Sequence, residues 1–438
     1  MNGTNTTSAL RIAVVAACPF PSARGSQVLI RELAEGLASR GHEVHIVAYP
    51  VGEHLVPVRG IVVHRPRWLT SGRMERLPWL VRKSLWDVLL VMTLCRVVRA
   101  KKIQLLHAHN YEGLFVACVA KWLLGCPLVY HAHNVLNDEL PTYFRKRWSR
   151  WLMGLVGEAG DRLVPRLADV AVVLSAAQRD ALLSRGLPPD RIIVVPPPVP
   201  DLGEGAARSR TNVRMPAGEF VVGYAGNLDA YQDLGVLVRA FCWLRERHSA
   251  AALLLVTHDR DWTRHAPREL LALVGRPEVK VVVCRSFAET RPWLSGADVL
   301  VCPRGSWSGF PIKLLNFASL QKPIVLSAAV AKAIGWSHGA TVFQAGNEAD
   351  LASVLLRLAE NPSARAGAAD AASRFANGLP SLEMVSEALE RLMSWTWWLK
   401  WRGVRRLTQI PEHRWGVDSH VPTSYKPADG RREDEARA

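Results

Sequence analysis

No two cysteines in this 438-residue chain stand at C-x-x-C spacing, and the seven are scattered singly. An odd, dispersed set argues against a disulfide framework and for reduced thiols in a cytosolic setting. It also removes the Cys clusters that structural zinc sites use. Long hydrophobic runs are missing too. The longest, Leu85 to Val98, is interrupted by Asp87 and Arg96, and a bilayer span needs about 20 residues. Met1 to Leu10 lacks the basic and apolar segments of a signal peptide, so the chain reads as soluble or peripheral. A three-glycine dinucleotide fingerprint is absent after the first strand pattern, which disfavours a nicotinamide enzyme. Acidic charge is short: 39 Asp and Glu against 55 Lys and Arg leave +16, and the isoelectric point is near 9.9. That excess selects an anionic partner: a phosphorylated substrate, an anionic membrane or nucleic acid. No nucleic-acid-binding motif accompanies it, so nucleic acid is not expected. The 16 tryptophans and the mean hydropathy of +0.04 turn the expectation toward a membrane surface, where Trp favours the interface.

What is present is a globular balance, 49% hydrophobic and 21% charged, in a length that predicts two or three domains. The run Ile12 to Ala17, the turn from Cys18 to Gly25, a helical pattern from Ser26 to Arg40 and a second run Val44 to Ala48 make a βαβ unit. Strands are predicted at Ile61–His64, Leu105–Ala108, Leu128–His131, Val170–Leu174 and Ile192–Val195. A Pro-rich, polar break follows. After it a second series predicts strands at Phe220–Ala225, Ala252–Thr257, Val279–Cys284, Val299–Cys302, Ile324–Ser327 and Thr341–Gln344. The expected division is a first Rossmann-like domain over 11–198, a linker over 199–217 and a second Rossmann-like domain over 218–380. A terminal helix over 381–407 and a disordered tail over 408–438 complete it. Two doubly wound α/β domains place a cleft at the carboxyl ends of their strands, where such sheets bind ligands.

The strongest local signal is Ser308-Gly-Phe-Pro-Ile-Lys-Leu-Leu-Asn-Phe-Ala-Ser-Leu-Gln-Lys-Pro-Ile-Val325. It reads as a Gly-Pro loop opening a helix after a parallel strand, with Lys313 in the first turn, where the helix dipole disfavours a cation unless an anion is bound. The alternative is a helix start with a solvated lysine. This segment resembles the donor-site motif of family 4 glycosyltransferases of the GT-B fold. Supporting pieces run in order: Pro21 to Gly25 with Glu32-Leu-Ala, Gly41-His-Glu-Val, His107-Ala-His-Asn110 and Val129-Tyr-His-Ala-His133. Ala168 to Ser175, Gly223-Tyr-Ala-Gly-Asn227 and Ala297 to Pro303 complete the series.

The resemblance implies two Rossmann-like domains, a last helix crossing back onto the first, and transfer of a sugar from a nucleotide diphosphate sugar with retention of configuration. A lipid-linked or glycan acceptor, in cell-surface polysaccharide or glycolipid synthesis at the inner face of a bacterial membrane, fits the basic, Trp-rich composition. The resemblance implies no metal or other cofactor. His133 matches the histidine facing the donor sugar. Lys313 and Arg304 would carry the diphosphate charge. Gly25, Gly309, Phe310, Pro311 and Ile312 would line the donor site. The family's paired glutamates fall on Ser308 and Asn316, the latter toward the ribose, and its diphosphate-clamping Arg and Lys fall on Asn227 and Gln232.

His107 and His109 stand two apart at a strand end, as do His131 and His133, so each pair shares a face. Four imidazoles can ligate zinc, yet no acidic residue or Cys joins them at ligand spacing, so no metal is expected. His109, Asp138 and Glu139 are expected on the acceptor side. Two basic, Trp-bearing stretches, Arg65 to Lys102 and Tyr143 to Leu155, fit an anionic membrane; a solvated charged face is the bland alternative. Three rivals stay open at this point: a non-catalytic GT-B binder of nucleotide or glycan, a nucleic-acid binder, and a GT-B nucleotide-sugar epimerase.

Overall fold

The computed structural model describes residues 9–22, 24–52, 58–66, 79–144, 146–200, 213–264, 266–305, 309–336 and 339–401. Ser308, Arg145, residues 201–212 of the expected linker and the expected tail lie outside the described residues.

The first sheet holds β1 (Arg11–Ala16), β2 (Glu43–Ala48), β3 (Ile61–His64), β4 (Leu105–His109), β5 (Leu128–Ala132), β6 (Val170–Val173) and β7 (Ile192–Val194). All neighbours pair in parallel, in the order β3-β2-β1-β4-β5-β6-β7. The second sheet holds β8 (Phe220–Ala225), β9 (Ala251–Thr257), β10 (Val279–Val283), β11 (Val299–Cys302), β12 (Ile324–Ser327) and β13 (Thr341–Phe343), in the order β10-β9-β8-β11-β12-β13. These are the thirteen strand patterns read from sequence, displaced by a residue or two at their ends. They are legible because a parallel strand is covered on both faces and therefore runs almost continuously apolar.

Around the first sheet lie α1 (Gly25–Ser39), α2 (Trp79–Lys101), α3 (Asn110–Leu124), α4 (Leu136–Glu139), α5 (Arg147–Leu163) and α6 (Ala176–Ser184). The second carries α7 (Leu234–Arg247), α8 (Arg268–Leu271), α9 (Phe287–Ser295), α10 (Lys313–Ser319), α11 (Ala328–Ala333), α12 (Glu348–Glu360) and α13 (Pro362–Asn377). Alternation divides the first core in two. Ile12, Val14, Leu105 and Val129 face α1, while Ala13, Val15, Leu106, Leu128 and Tyr130 face α2 and α3. That division follows from right-handed crossovers: helices leading to one sheet edge fall on one face, and those leading to the other edge on the opposite face.

The last helix, α14 (Leu382–Trp401), packs on α1 of the first unit. The approach needs Gly36, where a Cβ would fall 2.0 Å from the Ser386 hydroxyl oxygen. The Glu390 carboxylate on α14 accepts from Arg40 and lies 3.5 Å from His42 Nε2. The chain therefore starts in the first unit, builds the second and returns.

Candidate active site

Strand order reverses between β1 and β4 in one sheet and between β8 and β11 in the other. The loops leaving the carboxyl ends of these strands face each other across one cleft. A Cβ at Gly309 would fall 2.2 Å from the His133 carbonyl oxygen, and one at Gly25 would meet the Ile312 side chain at 3.3 Å. Gly309 also has φ +135°, so glycine is required there twice over, by conformation and by space. Phe310 and Pro311 are buried behind it, and Ile312 and Asn316 are half-buried.

On the second unit, Lys313 of α10 runs back under the end of β8. Its Nζ donates to the Tyr224 hydroxyl at 2.9 Å and to Gln232 Oε1 at 2.8 Å. It stands 4.1 Å from the Tyr224 ring centroid. A Cβ at Gly226 would fall 2.7 Å from the same ammonium, so the β8 loop closes on it. Lys313 is half-buried, with its ammonium held by these side chains. Gln232 Nε2 donates in turn to Asn227 Oδ1 at 2.8 Å, and Asn227 Nδ2 donates to the Tyr231 hydroxyl at 3.0 Å. The Arg304 guanidinium carbon lies 5.2 Å from the Tyr231 ring centroid. Asp233, in the left-handed region at φ 51°, accepts the Gly305 N–H at 2.7 Å and so ties this turn to the loop carrying Arg304. No carboxylate forms an ion pair with Lys313 among the described residues. Burial lowers its ammonium from 10.5 to about 8, with Arg304 adding to the effect against Cys302 and Asp229.

The first unit contributes the histidines. Register sets His109 of β4 beside His131 of β5. His107 Nε2 lies 3.2 Å from His131 Nδ1, and His109 Nδ1 lies 2.9 Å from His133 Nε2. Burial holds all four neutral: His133 falls to about 4 and His107 to about 3, and His109 and His131 lie well below the usual range. Sequence predicts His109 at the acceptor pocket. In the structure His109 is fully buried at the end of β4, with its Nδ1 2.9 Å from His133 Nε2.

Asp138 and Glu139 stand on α4, half-buried beside the cleft. Burial raises both carboxyls above the ordinary range. The Tyr143 hydroxyl and the Arg304 charge oppose the rise at Glu139, and the Arg185 charge opposes it at Asp138. Their turn is anchored by Asp161 of α5, a buried carboxylate. It accepts the Leu136 and Asn137 N–H groups at 2.9 Å each and the Tyr111 hydroxyl. Sequence reasoning misses Asp161, since nothing marks a lone Asp in a basic helix as an anchor. It also misses Tyr224, Tyr231, Arg24 and His258 as site residues. Burial lowers the His258 imidazole, with the Arg24 and Lys313 charges adding to it, which places all three around one spot. His258 directly follows β9, and position just past a strand end is the signal that could have found it.

One group of described residues is spaced to share a metal ion: His107, His109 and His131 each offer a ligand atom within 4.8 Å of the others. The set is all imidazole and fully buried beneath His133.

Two family models match the chain. Glycosyltransferase Family 4 covers residues 23–201, and Glycosyl transferases group 1 covers 219–361. A D-inositol 3-phosphate glycosyltransferase of Pseudarthrobacter chlorophenolicus is 27% identical over 372 residues, which is 78% of this chain and 84% of the relative. Among solved structures, HepE of Anabaena in complex with UDP and glucose superposes with a TM-score of 0.66 at 18% identity, covering 88% of this chain and 99% of that one. WaaG, a glycosyltransferase involved in lipopolysaccharide biosynthesis, gives 0.65 at 17%, covering 87% and 99%.

Proposed function

We propose that this chain, which belongs to glycosyltransferase family 4, moves a sugar from a nucleoside diphosphate sugar to an acceptor held beside α4. The observation that carries the reading is Lys313: an ammonium enclosed by Tyr224, Gln232 and Gly226, with no carboxylate paired to it among the described residues. Keeping a cation there is favourable when a polyanion arrives. The donor diphosphate is placed against Lys313 and Arg304, with Gly309 and Gly25 allowing close backbone approach. Asn316 is assigned to the ribose, where it can both donate and accept, and His133 to the sugar.

In transfer with retention, the bond from the anomeric carbon to the diphosphate oxygen breaks and the bond to the acceptor oxygen forms on the same face. The acceptor proton passes to the departing diphosphate oxygen. Negative charge grows on the diphosphate in that step, and Lys313 and Arg304 are fixed in place to meet it. His133, neutral at pH 7, hydrogen-bonds the sugar without adding charge, and His109 fixes which of its nitrogens carries the proton. No step in this reading uses a metal.

The acceptor is lipid-linked in this reading, presented at the inner face of the membrane for glycolipid or polysaccharide synthesis. Exposed cations on α2 and α5, among them Arg96, Arg99, Arg147 and Arg150, support an anionic surface as partner. The name of the relatives favours a second acceptor, an inositol phosphate. The test is transfer from UDP-, GDP- and ADP-sugars to membrane lipid extract and to inositol phosphate, with products read by mass spectrometry. Product in the lipid phase supports the reading. Product on inositol phosphate alone replaces the acceptor, and nucleotide-sugar isomerisation without transfer replaces the reaction.

A further inference from the structure

Helices α2 and α3 lie side by side on one face of the first sheet, and α5 adjoins α3 at the Tyr111–Asp161 bond. Lys83 of α2 reaches Glu112 of α3 at 3.6 Å, and Tyr111 of α3 donates to Asp161 of α5. The inward sides of α2 and α3 are spent on the core, through Leu90, Leu94, Leu114 and Ala117. Their outward sides are apolar as well. On α2, Val81, Leu85, Val88 and Met92 follow at four- and three-residue steps, and all are exposed. On α3 the outward stripe is Phe115, Val119, Trp122 and Leu123, with Trp122 at 85% exposure. On α5 it is Trp148, Trp151 and Leu155, with Leu152 and Val156 beside them. Steps of three and four put each set on one helix face. A soluble surface rarely gathers so much apolar side chain in one place, and such a patch marks a partner.

Charge identifies the partner. Arg96 and Arg99 continue the α2 stripe one and two turns further on, and Arg147 and Arg150 open the α5 stripe; all four are exposed. The acidic residues of the three helices are all engaged. Asp87 accepts from Tyr49 and Lys83, Glu112 lies near Lys83, Glu158 accepts from Arg162 and Arg185, and Asp161 is buried. A second copy of this face would set cation against cation, in a chain carrying +16. An acidic lipid surface takes both parts: head groups pair with the arginines while Trp and Phe enter the acyl boundary.

We infer that the α2–α3–α5 face inserts side chains into an anionic bilayer, with α3 as the central insertion element. The inference deepens the membrane part of the function proposed above. It differs from a purely electrostatic contact because burial of apolar side chains is not screened by salt, whereas at 1 M the Debye length falls to about 3 Å.

The experiment is flotation of the full chain with phosphatidylcholine vesicles containing about one third phosphatidylglycerol, and with phosphatidylcholine alone. Wild type is expected to bind the acidic vesicles and to keep about half of the bound fraction at 1 M NaCl. The pair Trp122→Ser with Trp151→Ser is expected to lower the partition coefficient at least tenfold. Folding of the variant is checked by its thermal unfolding, and nucleotide binding on the same samples keeps the donor site as a separate readout. Loss of vesicle binding with nucleotide binding intact supports the surface. Complete release by salt, equal binding by the variant, or a wild-type dimer that the variant abolishes would each overturn it.

Discussion

Replacing Lys313 by Met should separate ligand binding from stability. Burial lowers the Lys313 ammonium from 10.5 to about 8. Holding it charged at pH 7 therefore costs the unliganded fold about 3 kcal/mol, at 1.36 kcal/mol per tenfold change in proton affinity. The folded value lies below the unfolded one, so the unfolded chain binds more protons between pH 8 and 10.5. Stability from this group is at its lowest below pH 8 and rises across that window. Lys313→Met removes the penalty. It also removes two hydrogen bonds, worth about 1 kcal/mol each, and the contact with the Tyr224 ring, worth about another 1. These terms nearly cancel, so the unliganded variant should melt within a few degrees of wild type at pH 7. Binding should behave differently. Loss of a charged hydrogen bond to phosphate costs about 1.5–3 kcal/mol, roughly 10- to 100-fold in Kd. Wild-type affinity for the nucleoside diphosphate should also fall about tenfold per pH unit above 8, as the free protein loses the proton that the ligand requires. Calorimetry from pH 6.5 to 9.5 reads both effects. Equal affinity in the variant, or a wild-type profile flat across pH 8, refutes the assignment of this ammonium to the diphosphate.

Further outcomes follow from the same geometry. Asn316→Leu should weaken nucleotide binding in calorimetry while Asn316→Glu keeps it, since a carboxylate can still accept from ribose hydroxyls. Gly309→Ala places a Cβ 2.2 Å from the His133 carbonyl oxygen at φ +135°. The cleft should then fail to close, raising the donor KM at least tenfold in steady-state assays. Asp161→Asn leaves the Leu136 turn short of acceptors and should cost about 3 kcal/mol in urea unfolding, with acceptor KM rising more than donor KM.

Much of the fold is written locally. Buried parallel strands appear as apolar runs, and the i, i+2 spacing of His107 with His109 and of His131 with His133 is visible directly. What sequence does not show is which pairs meet. Contact of His109 with His133 depends on the register of β4 against β5. Lys313 reaches Tyr224 across 89 positions, and Gly25 meets Ile312 across the cleft. The basic, Trp-bearing stretches were legible in the sequence, but the exposed apolar face of α3 was not. A mostly apolar helix reads as buried, yet Trp122 is the most exposed of the large apolar residues described. Its neighbour α2 packs along one flank, and its outer face is left open.

The central claim is that the cleft closed by Gly309 on His133 holds a nucleoside diphosphate sugar on Lys313. The most direct measurement is the thermal shift of wild type and Lys313→Met against UDP-, GDP- and ADP-sugars. Ligand at 100 times its Kd stabilises by about 2.7 kcal/mol. One nucleotide class should therefore raise the wild-type Tm by several degrees, while a 10- to 100-fold weaker Kd leaves the variant with about 0.4–1.4 kcal/mol, at most about half of that shift, at the same concentration. A panel that shifts neither protein, or both equally, contradicts the account.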